Sequence, residues 1–207
     1  RVVTARGELQ LQRRGEEYEV ISNGCFLMAT YNGGSERALV TLAREWAPNA
    51  RSVLVGGLGV GYTLRAALDT PGIERVTVVE IEPKVLEWNR GYLAGYNGSA
   101  LKDPRTEVVE ADMVEFLTGP PEPYDLIVMD TDNGPDWTVF DSNVALWSAE
   151  GLTLLDRWRA PGGVLAFWSA QASPPFEASL RGRFNEVAVY AVAAGASYME
   201  DVIYLVR

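Results

Sequence analysis

The sequence predicts a Rossmann-like α/β fold, a doubly wound and mostly parallel sheet with an antiparallel C-terminal edge and a short β-rich N-terminal appendage. Three observations carry this reading. From residue 52 onward, apolar β-branched runs alternate with stretches of helical spacing. One of those runs passes directly into a glycine-rich turn and a helix. Two further apolar, β-prone runs close the chain and supply the antiparallel edge.

Taken in order, Leu9 to Leu11, Tyr18 to Ile21 and Cys25 to Ala29 are short alternating runs, and Asn23-Gly24 between the last two predicts a hairpin. Ser35 precedes Ala38, Leu39, Leu42, Ala43 and Trp46, so a helix capped by Ser35 is expected, ended by Pro48-Asn49. Residues 1–34 therefore read as the appendage and residues 35–207 as the Rossmann-like domain. Strands are expected over Ser52 to Val55, Arg75 to Val79, Thr106 to Val109, Asp125 to Met129 and Gly163 to Trp168. Near-continuous apolar strands of this kind suit a parallel sheet covered on both faces. Helices are expected over Tyr62 to Leu68, Pro83 to Leu93, Met113 to Leu117 and Trp147 to Trp158. After Pro174-Pro175 a last helix, Phe176 to Arg183, leads to an antiparallel pair, Asn185 to Val192 and Tyr198 to Val206.

The candidate site follows from what stands at the carboxyl ends of the strands. Gly57, Gly59 and Gly61 lie between Val55 and the helix at Tyr62, where glycine lets the backbone turn tightly and aim helix N–H groups at a ligand. That context points to a nucleotide or nucleoside. Glu80 ends the next strand close to the offset of roughly 20 residues at which an acid meets ribose hydroxyls in dinucleotide folds, with Ile81 beside it. Glu82 is read as opening the helix at Pro83, where an acid suits the dipole. Asp112, followed by Met113, either accepts from an adenine amino group or caps a helix. Asp130 follows four apolar residues and opens into the crevice, where it can hold a cation or take a proton from an amine. Turn chemistry alone explains Asp132 and Asp136 in Asp132-Asn133-Gly134-Pro135-Asp136. Trp46, Trp88, Trp147 and Trp158 read as packing anchors; Trp137 and Trp168 read as packing groups that could also wall a cationic substrate.

Composition narrows the chemistry. The 207 residues include 28 acidic and 18 basic ones, a formal charge of −10 that would repel nucleic acid. No histidine is present and Cys25 is the one cysteine, which excludes Ser-His-Asp catalysis, an internal disulfide and His-ligated metal; no metal cofactor is expected. No apolar run approaches the roughly 18 to 20 residues of a membrane span, and Arg1 to Gly7 lacks a signal-peptide core, so a cytoplasmic protein without a membrane partner is expected.

The glycine loop, Glu80-Ile81-Glu82, Asp103-Pro104-Arg105, Glu110-Ala111-Asp112 and Tyr124-Asp125 leading to Asp130 together resemble the spermidine/spermine synthase family over roughly Ser35 to Trp168. The resemblance implies a class I methyltransferase-like fold and aminopropyl transfer from decarboxylated S-adenosylmethionine to a small cationic acceptor such as a polyamine. It also implies that the residue at Glu80 binds ribose, that at Asp112 binds the adenine amino group, and that at Asp130 begins an acidic catalytic loop with Asp132. Homodimers are common in that family. Val60 stands where the family's loop carries an Asp facing the donor's amine, and Gly34-Ser35-Glu36 stands for its Tyr-His-Glu, keeping only the acid at Glu36. Gly134 is inserted before Pro135 in the acidic loop. An Asp at position 60 would repel the carboxylate of intact S-adenosylmethionine, so valine relaxes that discrimination. Methyl transfer from S-adenosylmethionine is therefore the alternative reading, and a non-catalytic nucleoside-binding protein a further one.

Overall fold

The computed structural model describes residues 1–131, 133–138, 141–193 and 200–207, with the backbone alone at 141 and 142. The chain opens with β1 (Val2–Thr4), β2 (Gly7–Arg14), β3 (Glu17–Ser22) and β4 (Cys25–Ala29), which form a four-stranded antiparallel meander. The predicted hairpin turns at Asn23 and Gly24, whose φ values of 50° and 79° are those of a primed turn. The edge strand β1 was not among the sequence expectations; three residues are too few for a periodic signal.

A helix α1 (Gly34–Trp46) follows, then β5 (Ser52–Gly56), α2 (Tyr62–Asp69), β6 (Arg75–Glu80), α3 (Pro83–Arg90), β7 (Thr106–Glu110), α4 (Met113–Thr118) and β8 (Tyr124–Met129). The chain continues through α5 (Ala149–Trp158), β9 (Arg159–Ser169), α6 (Pro174–Arg183), β10 (Val187–Ala193) and β11 (Glu200–Val206). The strands of this part lie in the order β10-β11-β9-β8-β5-β6-β7. The five from β9 to β7 are parallel, and β11 runs antiparallel to both β9 and β10. The expected doubly wound sheet and antiparallel edge are thus both present.

Strand periodicity divides the core. Val53 and Val55 pack with Leu39, Leu64, Val76 and Leu86 on the face covered by α1, α2 and α3. Leu54, between them, packs with Met113, Leu117, Ile127, Leu155 and Phe167 on the face covered by α4, α5 and α6. Both faces of β5 are therefore dry, which is why its sequence is apolar without alternation. Leu9 and Val20 of the first sheet join the α1-side cluster, so the meander is packed onto the larger sheet.

Two local expectations are corrected. Ser35 does not cap α1: Gly33 holds that position without a side-chain bond, and Ser35 lies inside the first turn with its hydroxyl directed to an acid on β11. The fifth helix begins at Ala149 rather than Trp147, because Ser148 caps it by accepting from the N–H of Gly151 at 3.1 Å.

Candidate active site

Strand order reverses at β5, with β6 on one side and β8 on the other, and the crevice of a doubly wound sheet opens at such a point. A cavity of about 350 Å³ lies there, within the size range of small-molecule sites. Its floor is the carboxyl ends of β5, β6, β8 and β9; Phe26, Leu27 and Met28 of β4 roof it.

One end of the cavity is the glycine loop and the end of β6. Gly57 and Gly59 line it, and at both an L side chain is excluded on two grounds. Their φ values are +87° and +52°, and a Cβ would stand 2.3 Å from the Asp130 carbonyl oxygen at Gly57 and 2.2 Å from Met28 Sδ at Gly59. Gly61 plays another part: it is the left-handed N-cap of α2 and packs against Asn97 and Asn89, outside the cavity lining. Val60 is fully buried in the α1-side core, so the loop presents no carboxylate to the cavity.

Glu80 is held in place by the backbone. Its Oε2 accepts from the N–H of Leu58 at 3.0 Å and its Oε1 from the N–H of Glu82 at 2.8 Å, while the side chain lines the cavity. Burial pushes its carboxyl above the ordinary range, and those N–H groups pull against the shift. Ile81 and Met113 line the same end. Glu82 stands at the N-cap of α3, as expected of an acid that opens the helix at Pro83, although its side chain makes no cap. Its Oε1 accepts from Thr4 Oγ1 at 3.3 Å, Arg6 lies 3.7 Å away, and its buried Oε2 has no partner among the described residues. Asp112 is the N-cap of α4, its Oδ1 accepting from the N–H groups of Val114 and Glu115 at 2.8 and 3.3 Å. It is not among the cavity-lining residues.

The other end is acidic. Asp130 leaves β8 at the cavity wall, its N–H bound to Gly56 O at 2.8 Å and its Oδ2 accepting from Thr63 Oγ1 at 2.5 Å. Some of its surface remains accessible, yet burial and then the neighbouring Glu36 carboxylate push its carboxyl up to about 7, against the Thr63 hydroxyl. Glu36, in the first turn of α1, and Asp201, at the start of β11, are both buried and both line the cavity. Burial raises each of them too. Among the described residues, no Lys or Arg forms an ion pair with any of these three acids. The side-chain Nδ2 of Asn133, a buried residue of the cavity wall, likewise has no partner among the described residues.

Trp168 and Trp137 both line this end, as their strand-end positions suggested; Trp168 donates from Nε1 to Ser35 Oγ at 3.0 Å, and Trp137 is half exposed. Asp132 lies outside the described residues. Asp201, Ser35 and Thr63 were not anticipated as site residues. The one available signal for Asp201 was a charged Glu200-Asp201 pair at the head of an otherwise apolar run. Among the described residues, no group of three or more Cys, Asp or Glu side chains is arranged to hold a metal ion, and no helix is long and apolar enough to cross a membrane.

The spermine/spermidine synthase domain matches residues 34–169, the span that contains the glycine loop, Glu36, Glu80, Asp112 and Asp130. The chain belongs to the spermine/spermidine synthase family. A polyamine aminopropyltransferase of Mycobacterium tuberculosis is 34% identical over 177 residues, covering 84% of this chain and 32% of that protein. One from Pectobacterium atrosepticum is 32% identical over 152 residues, covering 72% of this chain and 53% of the relative. The chain thus spans about a third to a half of the length of these family members. Among solved structures, spermidine synthase from Thermotoga maritima superposes with a TM-score of 0.79 at 18% identity, covering 96% of this chain and 68% of that one. A spermidine synthase in complex with the transition-state analogue AdoDATO gives 0.78 at 19% identity, with the same coverage. At such identities the superpositions establish a shared fold, here including the antiparallel edge and the N-terminal sheet.

Proposed function

We propose that this chain transfers an aminopropyl group from decarboxylated S-adenosylmethionine to a small cationic amine. Residues 1–34 act in this reading as a roof over a nucleoside-binding unit, residues 35–207. The observation that carries it is the charge of the cavity: the buried Glu36 and Asp201 and the partly buried Asp130 face the space beside the glycine loop without a cationic partner among the described residues. Burying carboxyl groups uncompensated is costly, and an ammonium ligand supplies the missing partner. The same charge opposes the carboxylate of intact S-adenosylmethionine.

In this reading Glu80 accepts from the ribose hydroxyls, and Gly57 and Gly59 let the backbone approach the nucleoside. Asp112 offers the adenine amino group the oxygen that does not cap α4. The acceptor nitrogen attacks the propyl carbon bound to sulfur, a C–N bond forms, and the C–S bond breaks with its electron pair staying on sulfur as methylthioadenosine leaves. The proton lost by the amine passes to Asp130, whose carboxyl, raised to about 7, is matched to proton transfer near neutrality. Asp132 and Glu36 add negative potential. The rest of the rate comes from holding nucleophile and leaving group in line. A cytoplasmic setting goes with this reading, supported by a single free cysteine that asks for no oxidising compartment.

Methyl transfer from S-adenosylmethionine is the second reading, and Val60 is the observation that favours it, because the loop carries no acid to reject the donor's carboxylate. Incubation with each donor and a panel of aliphatic diamines, with chromatography of the nucleoside products, separates the two. Release of methylthioadenosine from the decarboxylated donor is expected, falling by about 100-fold or more in Asp130→Asn. Formation of S-adenosylhomocysteine from the intact donor, with no methylthioadenosine from the other, would replace aminopropyl transfer by methyl transfer.

A further inference from the structure

We propose that Asp201 is the specificity-determining residue for a primary alkylammonium group in this cavity, presented with Ser35 and Glu36 and supplying from β11 the charge that the glycine loop lacks. The inference rests on the nucleoside-transferase reading and deepens it. Strand periodicity places Asp201 on the same face of β11 as Ile203 and Leu205, both fully buried in the α1-side core. An acid thus occupies a position whose face is otherwise apolar, and it lies where the strand meets the cavity. Conflict of this kind between local pattern and side chain marks functional positions.

The hydrogen-bond count gives the conflict a chemical meaning. Ser35 Oγ lies 2.6 Å from Asp201 Oδ2 and 3.1 Å from Glu36 Oε2, and it accepts from Trp168 Nε1 at 3.0 Å. A serine hydroxyl has one hydrogen, and the shorter contact assigns it to Asp201. Glu36 then receives no hydrogen from Ser35, whose hydroxyl stands between the two carboxyl groups with one hydrogen to give. An ammonium group carries three N–H donors and a positive charge, so it satisfies both acids at once. A second, separate feature points to a ligand: among the described residues the buried Asn133 amide on the same cavity wall has an unpartnered Nδ2, a donor that asks for an acceptor atom of the bound molecule beyond its ammonium group. With Val60 buried in the core, and Gly57, Leu58 and Gly59 as the loop's lining residues, no carboxylate of that loop performs this task.

Two sources of ammonium share this chemistry, the propylamine end of the donor and one end of the acceptor. Calorimetric titrations of wild type and Asp201→Asn with decarboxylated S-adenosylmethionine, methylthioadenosine and 1,4-diaminobutane distinguish them. Asparagine keeps an acceptor for Ser35, and methylthioadenosine has the nucleoside without the amine, so its affinity reports an intact fold and pocket. The expected result is an unchanged affinity for methylthioadenosine, with a loss of at least about tenfold for the decarboxylated donor, the diamine or both. Loss for the donor alone assigns the site to the donor's amine; loss for the diamine alone assigns it to the acceptor. Equal affinities of both proteins for all three ligands would overturn the inference while leaving the nucleoside reading intact, as would a parallel loss for all three, which marks a structural role. Binding of neither nucleoside by wild type, with an Asp201-dependent affinity for the diamine, would instead remove the nucleoside reading and keep the ammonium site. Binding of none of the three would overturn both.

Discussion

Replacing Asp130 by asparagine should stabilise the free protein, and by an amount that depends on pH. The Asp130 carboxyl is raised to about 7 by burial and by Glu36, against an ordinary value near ~3.9. The folded state therefore holds this proton more tightly than the unfolded chain. A group raised in this way contributes stability that is fully present below about pH 4 and is lost as pH rises through about 7. Each decade of proton affinity corresponds to about 1.4 kcal/mol, so about 2.6 kcal/mol of this contribution disappears between pH 5 and pH 8. Asparagine keeps the shape and an acceptor for Thr63 but carries no charge at either pH. Asp130→Asn should thus gain on wild type by about 2.6 kcal/mol between pH 5 and pH 8, or on the order of 8 °C in Tm for a chain of this size. The mutual repulsion of the Asp130 and Glu36 carboxylates works in the same direction, because it is removed with the Asp130 charge. Thermal denaturation of both proteins in a series of buffers from pH 5 to pH 8 measures the difference. A Tm gap that stays constant across the series, or one that narrows toward pH 8, would refute the claim that Asp130 is held in a charge-disfavouring site.

Other substitutions test the remaining parts of the site and core. Gly57→Ala combines a left-handed backbone with a Cβ 2.3 Å from the Asp130 carbonyl oxygen, and should cost about 3 kcal/mol, a fall in Tm on the order of 10 °C by differential scanning calorimetry. Glu80→Gln places an amide where two backbone N–H groups converge on a carboxylate; methylthioadenosine affinity should fall at least about tenfold in a calorimetric titration, and an unchanged affinity would remove Glu80 from the nucleoside site. Leu54→Ala empties a fully buried position between β5 and the α4–α6 layer and should cost about 3 kcal/mol by denaturant unfolding, with little effect on nucleoside affinity in the folded protein.

The parallel sheet was legible because its strands are buried on both faces: Val53-Leu54-Val55 and Leu126-Ile127-Val128 are apolar without alternation, and nothing else in a chain of this length asks for such runs. Glu80 and Asp130 were legible because strand ends place their side chains in the crevice. The cap at Ser35 was misplaced for a reason sequence spacing does not record. A tertiary acid, Asp201, attracts the hydroxyl that would otherwise serve the helix, although the two residues lie 166 positions apart. Asp112 illustrates the opposite case, where both readings share one side chain and the local one, the helix cap, is visible in the backbone geometry. Glu82 was read as a helix-opening acid, and only the packing of Thr4 and Arg6 from the β1–β2 turn shows what its carboxylate meets. The N-terminal sheet could be foreseen as strands but not as a roof, since its position depends on contacts such as Met28 against Gly59.

The most direct test of the central claim is a calorimetric titration of the wild-type chain with decarboxylated S-adenosylmethionine, intact S-adenosylmethionine and methylthioadenosine under identical buffer conditions. The acidic cavity predicts that the decarboxylated donor binds more tightly than methylthioadenosine, and the intact donor more weakly than the decarboxylated one. Tighter binding of the intact donor, or the absence of binding by all three, would contradict it.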